Sequence, residues 1–123
     1  MAERRLEIPH EAIVVGCRLR FQRRSAKDIQ RDVKARLKQK NLTQPLALAS
    51  AGAIWKDPPG LSAVRLIEKS GLRGKRVGSA EISAKHPNYI INRGGARAAD
   101  VLALMELTRE RVRTHFHVTL EED

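Results

Sequence analysis

The sequence predicts an α+β fold in which one mixed sheet carries helices packed on one of its faces. Three observations support this class: an alternating segment at residues 12–22, apolar residues at helical spacing in 26–40 and 97–115, and short strand-like segments between them. The resulting order is strand, helix, strand, helix, strand, strand, helix, strand. A single sheet covered by helices is the economical way to bury the apolar faces of such a chain.

The first strand and the first helix follow from two different periodicities. Residues 12–22 alternate between an apolar and a mainly polar face, which is the pattern of a half-buried strand. The apolar face consists of Ile13, Val15, Cys17, Leu19 and Phe21. Ser25 then stands as a candidate N-cap with Asp28 three residues later, close to a capping box. The helix over 26–40 is amphipathic, and Pro45 blocks its continuation.

The middle of the chain contains short elements separated by turns. A short strand is predicted around Ile54 and Trp55, and "DPPG" after it forces a turn. Residues 62–70 form a short helix that Gly71 closes, and a loop with a short strand follows near residues 77–83.

The last third of the chain is predicted to form a strand, a turn, a helix and a further strand. Residues 88–92 form a strand, and "RGG" turns the chain into a helix over 97–115. A last short strand is predicted at 118–120. The stripe that this helix buries is Val101, Leu104, Met105, Thr108 and Val112.

Composition bounds the class of protein. The length of 123 residues suits one domain, spanning 1–123, and 3% aromatic residues require an aliphatic core. The lone Cys17 excludes an internal disulfide, no apolar run is long enough to span a membrane, and "MAERRLEIPH" lacks the apolar core of a signal peptide. We therefore expect a cytoplasmic protein.

The net charge of +10 permits nucleic-acid binding, attraction to an anionic surface, or an anionic substrate. A solvated basic surface is the alternative. The basic residues are spread along the chain without interleaved stacking aromatics, which weakens the nucleic-acid hypothesis. The four histidines are scattered and have no cysteine partners, so no metal site is predicted.

Two motifs leave open alternatives. "RGGARAAD" precedes a helix and could present backbone N–H groups to a phosphate, but it matches no established phosphate-loop spacing, and a tight turn that needs positive φ is the simpler interpretation. "SAGAIWKDPPG" places a Trp beside a Lys and an Asp. It forms either the wall of a pocket or a core Trp55 beside a solvated turn.

Five ordered segments together resemble the C-terminal part of the UDP-N-acetylenolpyruvoylglucosamine reductase family, whose members are also called UDP-N-acetylmuramate dehydrogenases. The resemblance covers almost the whole chain from residue 12. The segments are "TQP", "SAGAIWKDPPG", "RLIEKSGLRGKRVGSAEIS", "KHPNYIINRGGARAADVLALMELTRERV" and "VTLEED".

The resemblance implies an oxidoreductase of peptidoglycan synthesis in the bacterial cell-wall pathway. In that family upstream domains bind FAD, NADPH reduces the flavin, and the C-terminal domain closes over a UDP-sugar. This chain then corresponds to the substrate-binding domain alone. FAD and NADPH are implied by the family but not expected to bind this chain. The expected partners are the UDP-sugar and the upstream flavin-binding domains, with no membrane.

The resemblance assigns two catalytic positions to this chain. The family's proton-donating serine follows Gly52, where this chain has Ala53, which carries no proton to donate. Loss of a positioned general acid typically costs on the order of 10²–10⁴ in rate. The family's catalytic glutamate aligns with Asp123, which is one methylene shorter.

The resemblance also assigns substrate-binding positions, namely Lys40, Lys56, Asp57, Arg73 and His86. Asp57 replaces an asparagine that contacts the diphosphate, and a carboxylate there repels phosphate unless it is paired or protonated. Arg73 keeps the charge of a family lysine, and His86 matches a histidine beside the substrate pocket. The alternative for His86 is a structural hydrogen bond at a strand end.

These substitutions leave two hypotheses. The chain is either a divergent substrate domain of the reductase that is inactive alone, or a non-catalytic basic module that reuses the fold in an RNA or protein assembly. Salt dependence of RNA binding distinguishes them.

Overall fold

The elements run along the chain as three helices and four strands. The structure, a computed structural model, describes Pro9 and residues 11–123, so most of the N-terminal decapeptide, with His10, lies outside the described residues. The elements are α1 (Ala26–Thr43), β1 (Ala49–Ala53), α2 (Ala63–Lys69), β2 (Arg76–Val77), β3 (Ala80–Ile82), β4 (Tyr89–Asn92) and α3 (Ala98–Phe116).

The four strands form one sheet in the order β1-β4-β3-β2. All three strand pairings are antiparallel, so the α+β class is confirmed whereas the expected mixed sheet is antiparallel among the described residues. The connections from β2 to β3 and from β3 to β4 are too short for a parallel crossover. Strands β1 and β4 also pair antiparallel, although other elements lie between them in the sequence.

Helix α3 packs against β2 and β3, and α2 packs against α3. The buried stripe predicted for α3 is confirmed, since Leu104, Thr108 and Val112 are buried and Val101 and Met105 pack against the core. The core is aliphatic apart from one tryptophan, as the composition required. Its buried members are Trp55, Ala63, Leu66, Ile67, Leu72, Ala80, Ile82, Ile90, Leu104, Val112 and Leu120.

The segment near 77–83 is a hairpin rather than a single strand. Gly78 and Ser79 turn the chain between β2 and β3, and Gly78 has φ +52°. Its Cα lies against the buried carboxylate of Asp100, which closes the first turn of α3 by accepting from the backbone N–H of Arg97 at 3.0 Å. The hairpin turn and the start of α3 therefore lock together.

Two predicted strands are wrong. Residues 12–22 form no strand, and their apolar side chains are exposed, because a strand needs a hydrogen-bonded partner that the described chain does not supply. Residues 118–120 form no strand either. The backbone instead pairs just beyond them, in a single bridge between Trp55 and Glu122. The strand expected at Ile54 and Trp55 accordingly lies slightly earlier, at Ala49–Ala53.

Helix α1 begins as predicted. The Ser25 hydroxyl accepts from the backbone N–H of Asp28 at 3.1 Å, and the helix ends where Gln44 N donates to Lys40 O. Its amphipathic stripe is nevertheless not buried on this chain, since α1 contains no buried residue.

We predict that Gly78→Ala destabilises the fold more than Gly74→Ala. Both glycines have positive φ, which costs an alanine about 1–3 kcal/mol. At Gly78 the added Cβ would also lie 2.6 Å from Asp100 Oδ2, whereas at Gly74 it meets open space. Urea unfolding should show the difference, and equal midpoints for the two variants would contradict the contact between hairpin and helix.

Candidate functional site

The two catalytic positions that the resemblance assigns lie at the same end of the sheet. Ala53 ends β1 opposite Tyr89 of β4. The backbone N–H of Asp123 donates to Ile54 O at 3.0 Å, and Lys56 N donates to Glu121 O at 2.9 Å. The C-terminal residues therefore run antiparallel beside 54–56, which brings the backbone of Asp123 next to Ala53.

Asn88 holds this end of the sheet together. Its buried amide accepts from Trp55 N and donates to Trp55 O, both at 2.8 Å. Ile54 N also donates to Asn88 O at 2.9 Å. Asn92 also hydrogen-bonds backbone groups, at the other end of β4, where its side chain accepts from Gly94 N at 2.8 Å and Ala96 N at 3.0 Å. Both asparagines therefore satisfy backbone groups at the strand ends.

His86 lies beside this end of the sheet. Its ring meets the ring of Tyr89 edge-on, with centroids 4.7 Å apart. Its backbone N–H donates to the Ser83 hydroxyl at 3.1 Å, while its Nδ1 atom is buried and has no hydrogen-bond partner among the described residues. Burial lowers the pKa of His86 below its ordinary value, against the weaker opposing effects of a backbone hydrogen bond and the negative charge of Asp57.

Asp57 has a structural task that the sequence did not reveal. Its Oδ1 accepts from the backbone N–H of Ala63 at 2.8 Å and so caps α2, whose own N-cap residue Ser62 makes no side-chain cap. Lys56, its neighbour, is exposed and is held through its backbone. The carboxylate of Asp57 beside His86 is therefore explained by its role in stabilising α2.

The other two assigned positions lie near the site without being fixed in it. The Arg73 guanidinium pairs with Glu68 at 2.7 Å, although Gly74 N donates to Ile82 O and so brings the Arg73 loop to the end of β3. Lys40 lies in the last turn of α1. That turn contacts the 83–88 loop through Lys85, whose ammonium donates to the backbone of Asn41.

A buried ion cluster within the sheet was missed from the sequence. Glu81 is only 3% exposed and pairs with Arg76 and Arg93, the latter at 2.9 Å. The hydrogen bond from Arg93, together with that from Arg76, lowers the pKa of Glu81. The signal was a carboxylate placed between Ala80 and Ile82 in a strand, a position at which burial demands a partner.

The cavity beside β1 and β4 does not fit a flavin. One cavity of about 350 Å³ lies between β1, β4 and the start of α3, and its lining is mostly alanine and isoleucine. Its one cation, Arg97, already pairs with Asp100. A dinucleotide with a diphosphate needs more space and more free donors than this lining offers.

Neither a membrane helix nor a metal cluster is found in the described part of the chain. None of its helices is long and apolar enough to cross a bilayer. No three histidine, cysteine, aspartate or glutamate side chains within it come together as metal ligands.

Comparison with known proteins decides the family. The family model for the C-terminal domain of UDP-N-acetylenolpyruvoylglucosamine reductase matches residues 44–123. The chain belongs to this family. The resemblance seen in the sequence is thereby confirmed, and with it an evolutionary relation to an oxidoreductase of peptidoglycan synthesis.

Relatives named UDP-N-acetylenolpyruvoylglucosamine reductase match much of the chain. The protein of Alkalilimnicola ehrlichii is 48% identical over 95 residues, which is 77% of this chain and 32% of that protein. The protein of Syntrophobacter fumaroxidans is 38% identical over 120 residues, which is 98% of this chain and 35% of that protein.

A solved structure supports the fold of this chain. The crystal structure of the reductase from Thermus caldophilus is 41% identical, with a TM-score of 0.67, over 86% of this chain and 38% of that one. The chain therefore spans roughly a third of the length of the relatives it matches.

We predict that the burial of His86 makes stability depend on pH. Because its pKa is lowered in the folded state, the unfolded chain binds the proton more readily as the pH falls below about 6.5. The histidine's contribution is complete above that pH and is lost as the pH falls toward the lowered pKa. His86→Gln should flatten the fall of the unfolding free energy between about pH 7 and 5. The same slope in both proteins would contradict a partly buried imidazole that stays neutral in the folded state.

Proposed function

We propose that this chain is the substrate-binding C-terminal domain of an NADPH- and FAD-dependent reductase. The whole enzyme converts UDP-N-acetylenolpyruvoylglucosamine to UDP-N-acetylmuramate in peptidoglycan synthesis, in the cytoplasm. The observation that carries the proposal is the meeting of Ala53, His86 and Asp123 at one end of the sheet, beside a family match over 44–123. These positions are far apart in sequence, and the pairing of β1 with β4 and of residues 54–56 with the C-terminal residues brings them together.

The chain's own residues suit binding better than proton transfer. Lys56 lies at this end of the sheet and offers positive charge to a diphosphate, as expected for a UDP-sugar, and Arg73 lies there paired with Glu68. Tyr89 and His86 offer an edge-on aromatic wall. Ala53 occupies the position at which reduction of the enolpyruvyl group requires a proton donor. Its methyl group carries no proton that it could donate.

The flavin chemistry belongs to polypeptide outside this chain in the proposal. The cavity beside β1 and β4 does not fit FAD, and the chain spans about a third of its relatives' length. We therefore expect the isolated chain to bind no flavin and to turn nothing over. Copurification of a yellow chromophore absorbing at about 450 nm, as flavins do, would contradict this.

Restoring the hydroxyl at position 53 should restore proton donation. The experiment uses a chimera in which the part of the Thermus caldophilus reductase preceding its matched region is joined ahead of this chain. We predict that Ala53→Ser in the chimera raises kcat by on the order of 10²–10⁴. Ala53→Val is the control without a hydroxyl. An equal rate for the serine and valine variants would favour a repurposed fold.

Replacing the carboxylate at position 57 should strengthen substrate binding. Asp57→Asn removes a negative charge from the proposed diphosphate site and keeps an oxygen that accepts from Ala63 N. We predict a roughly fivefold lower Kd for UDP-N-acetylenolpyruvoylglucosamine, corresponding to about 1 kcal/mol for one charge in high dielectric. Isothermal titration calorimetry measures this constant.

Asp57→Ala separates the charge from the cap. This variant also lacks the carboxylate but should lose about 1 kcal/mol of stability, because α2 loses its side-chain acceptor. A Kd for Asp57→Asn that equals the parent value would place the diphosphate elsewhere.

The second candidate function is a non-catalytic basic module in an RNA or protein assembly. One observation favours it: residues 11–43 contain ten Lys and Arg against three Asp and Glu, a net charge of +7, and these residues are largely exposed. Binding to generic RNA that weakens steeply between about 50 and 200 mM salt would support this candidate. Selective binding of the UDP-sugar would support the reductase domain.

A further inference from the structure

Arg109 joins three parts of the chain beside the candidate site. It lies on α3, and its guanidinium carbon is 5.2 Å from the centroid of the Trp55 ring, over the face of that ring. The same guanidinium donates to Glu106 Oε2 at 2.9 Å and to Glu122 Oε1 at 2.6 Å. One side chain therefore links α3, the residues that follow β1, and the C-terminal segment, defined here as residues 121–123.

The Trp55 ring gives the guanidinium of Arg109 a fixed surface to lie on. The ring is buried, and the amide of Asn88 holds the backbone of Trp55 on both sides. The Arg109 side chain is 32% exposed, whereas that of Glu122 is 57% exposed. A guanidinium that an aromatic face already orders loses less side-chain entropy when it pairs with a carboxylate. Arg109 is thus prepared to hold Glu122 at one place.

The C-terminal segment has few other attachments. Two backbone hydrogen bonds pair it with residues 54–56. Within the part of the chain that the structure describes, the bond from Arg109 to Glu122 is the one side-chain hydrogen bond that the segment receives. Segments near a chain end that are held by so few contacts open easily. The contact with Arg109 therefore contributes a large share of what keeps the segment in place.

Holding Glu122 also determines the direction of Asp123. The two residues are neighbours on a segment that pairs antiparallel with residues 54–56, and successive side chains of such a segment point to opposite faces. A slip of the pairing by one residue would exchange these faces. Because Arg109 draws the Glu122 carboxylate toward α3, it opposes the slip and directs the Asp123 carboxylate away from α3.

We propose that Arg109 is a positioning residue for Asp123. It touches no reacting group in this proposal and acts through Glu122, whose capture fixes the register and the direction of position 123. Ion pairs with partners as exposed as Glu122 add little to folding stability, so orientation is the effect for which this contact is suited. The inference rests on the proposed function, in which Asp123 occupies a catalytic position.

Hydrogen exchange in the complete chain tests whether Arg109 holds the segment. Arg109→Met keeps an apolar side chain of similar length against Trp55 and removes both ion pairs. We expect the backbone N–H of Asp123 to exchange about fivefold faster in this variant, because the segment opens more often. The hydrogen-bonded N–H of Ile82, which lies in the β2–β3 hairpin, should change by less than about twofold.

Two further variants accompany Arg109→Met. Arg113→Met removes the same charge one turn later on α3 and is the matched control, since Arg113 makes no ion pair with another described residue. Glu122→Gln removes the negative partner from an exposed position and leaves the contact of Arg109 with Trp55 intact. It provides the same tests if Arg109→Met does not fold.

Turnover in the Thermus caldophilus chimera tests the consequence for position 123. The chimera carries Ala53→Ser, so that a proton donor is present. We expect Arg109→Met to lower kcat about tenfold and to leave KM within about twofold, because Asp123 is assigned to the reacting group rather than to substrate binding. Glu122→Gln should lower kcat in the same way, and Arg113→Met should change neither constant.

A double-mutant cycle with Asp123→Asn separates positioning from general structural support. If Arg109 acts through Asp123, then Arg109→Met changes kcat by less than about twofold once the carboxylate is absent. A full tenfold loss that persists beside Asp123→Asn overturns the proposal, because Arg109 then acts independently of Asp123.

Three other results also overturn the proposal. The first is an Asp123 N–H that exchanges at the parent rate in Arg109→Met, or no faster than the rest of the chain. The second is an equal loss of kcat in Arg109→Met and Arg113→Met, which assigns the effect to the charge of α3. The third is an active chimera whose kcat is unchanged by Asp123→Asn, since no carboxylate then needs positioning.

The exchange measurement requires neither substrate nor flavin. An Ala53→Ser chimera that turns nothing over counts against the proposed function, and hydrogen exchange then decides whether Arg109 holds the segment. If the chimera is active and Arg109→Met changes neither exchange at Asp123 nor kcat, the proposed function stands and the role of Arg109 fails.

Discussion

The buried amide of Asn88 is the interaction on which the candidate site depends. By accepting from and donating to the backbone of Trp55, it fixes the chain leaving β1 against the start of β4. The C-terminal residues can then pair with 54–56. Together with the pairing of β1 with β4 and of residues 54–56 with the C-terminal residues, that amide holds Ala53 and Asp123 beside the His86 loop. Leaving a buried amide's partners unpaired costs about 1–3 kcal/mol per group.

The sequence predicted elements best where the signal was local. The Ser25 cap and the α3 stripe are decided by residues three or four apart, and both are confirmed. The strand predicted at residues 12–22 is wrong because alternation indicates the two faces of a strand but does not supply a neighbouring strand to pair with. The strand at 118–120 failed because Leu120 is buried while backbone pairing starts beyond it. Burial and pairing are separate requirements.

The sequence predicted which residues lie together in the candidate site, and their roles stay predictions. Resemblance placed Ala53, His86 and Asp123 in it, and the structure brings them to one end of the sheet. It could not show that Asp57 caps α2 across six residues, or that Glu81 is paired with two arginines. Such partners are selected by tertiary contact, so a carboxylate that looks unfavourable for phosphate can persist because a helix needs it.

Amide chemical-shift mapping of the ¹⁵N-labelled chain with UDP-N-acetylenolpyruvoylglucosamine tests the substrate-domain account most directly. The account predicts saturable shifts at Ala53, Trp55, His86, Tyr89 and Asp123, with α3 beyond its first turn unaffected. Shifts confined to α1 and residues 12–22 would contradict it. The absence of shifts in a chain whose spectrum shows that it is folded would also contradict it.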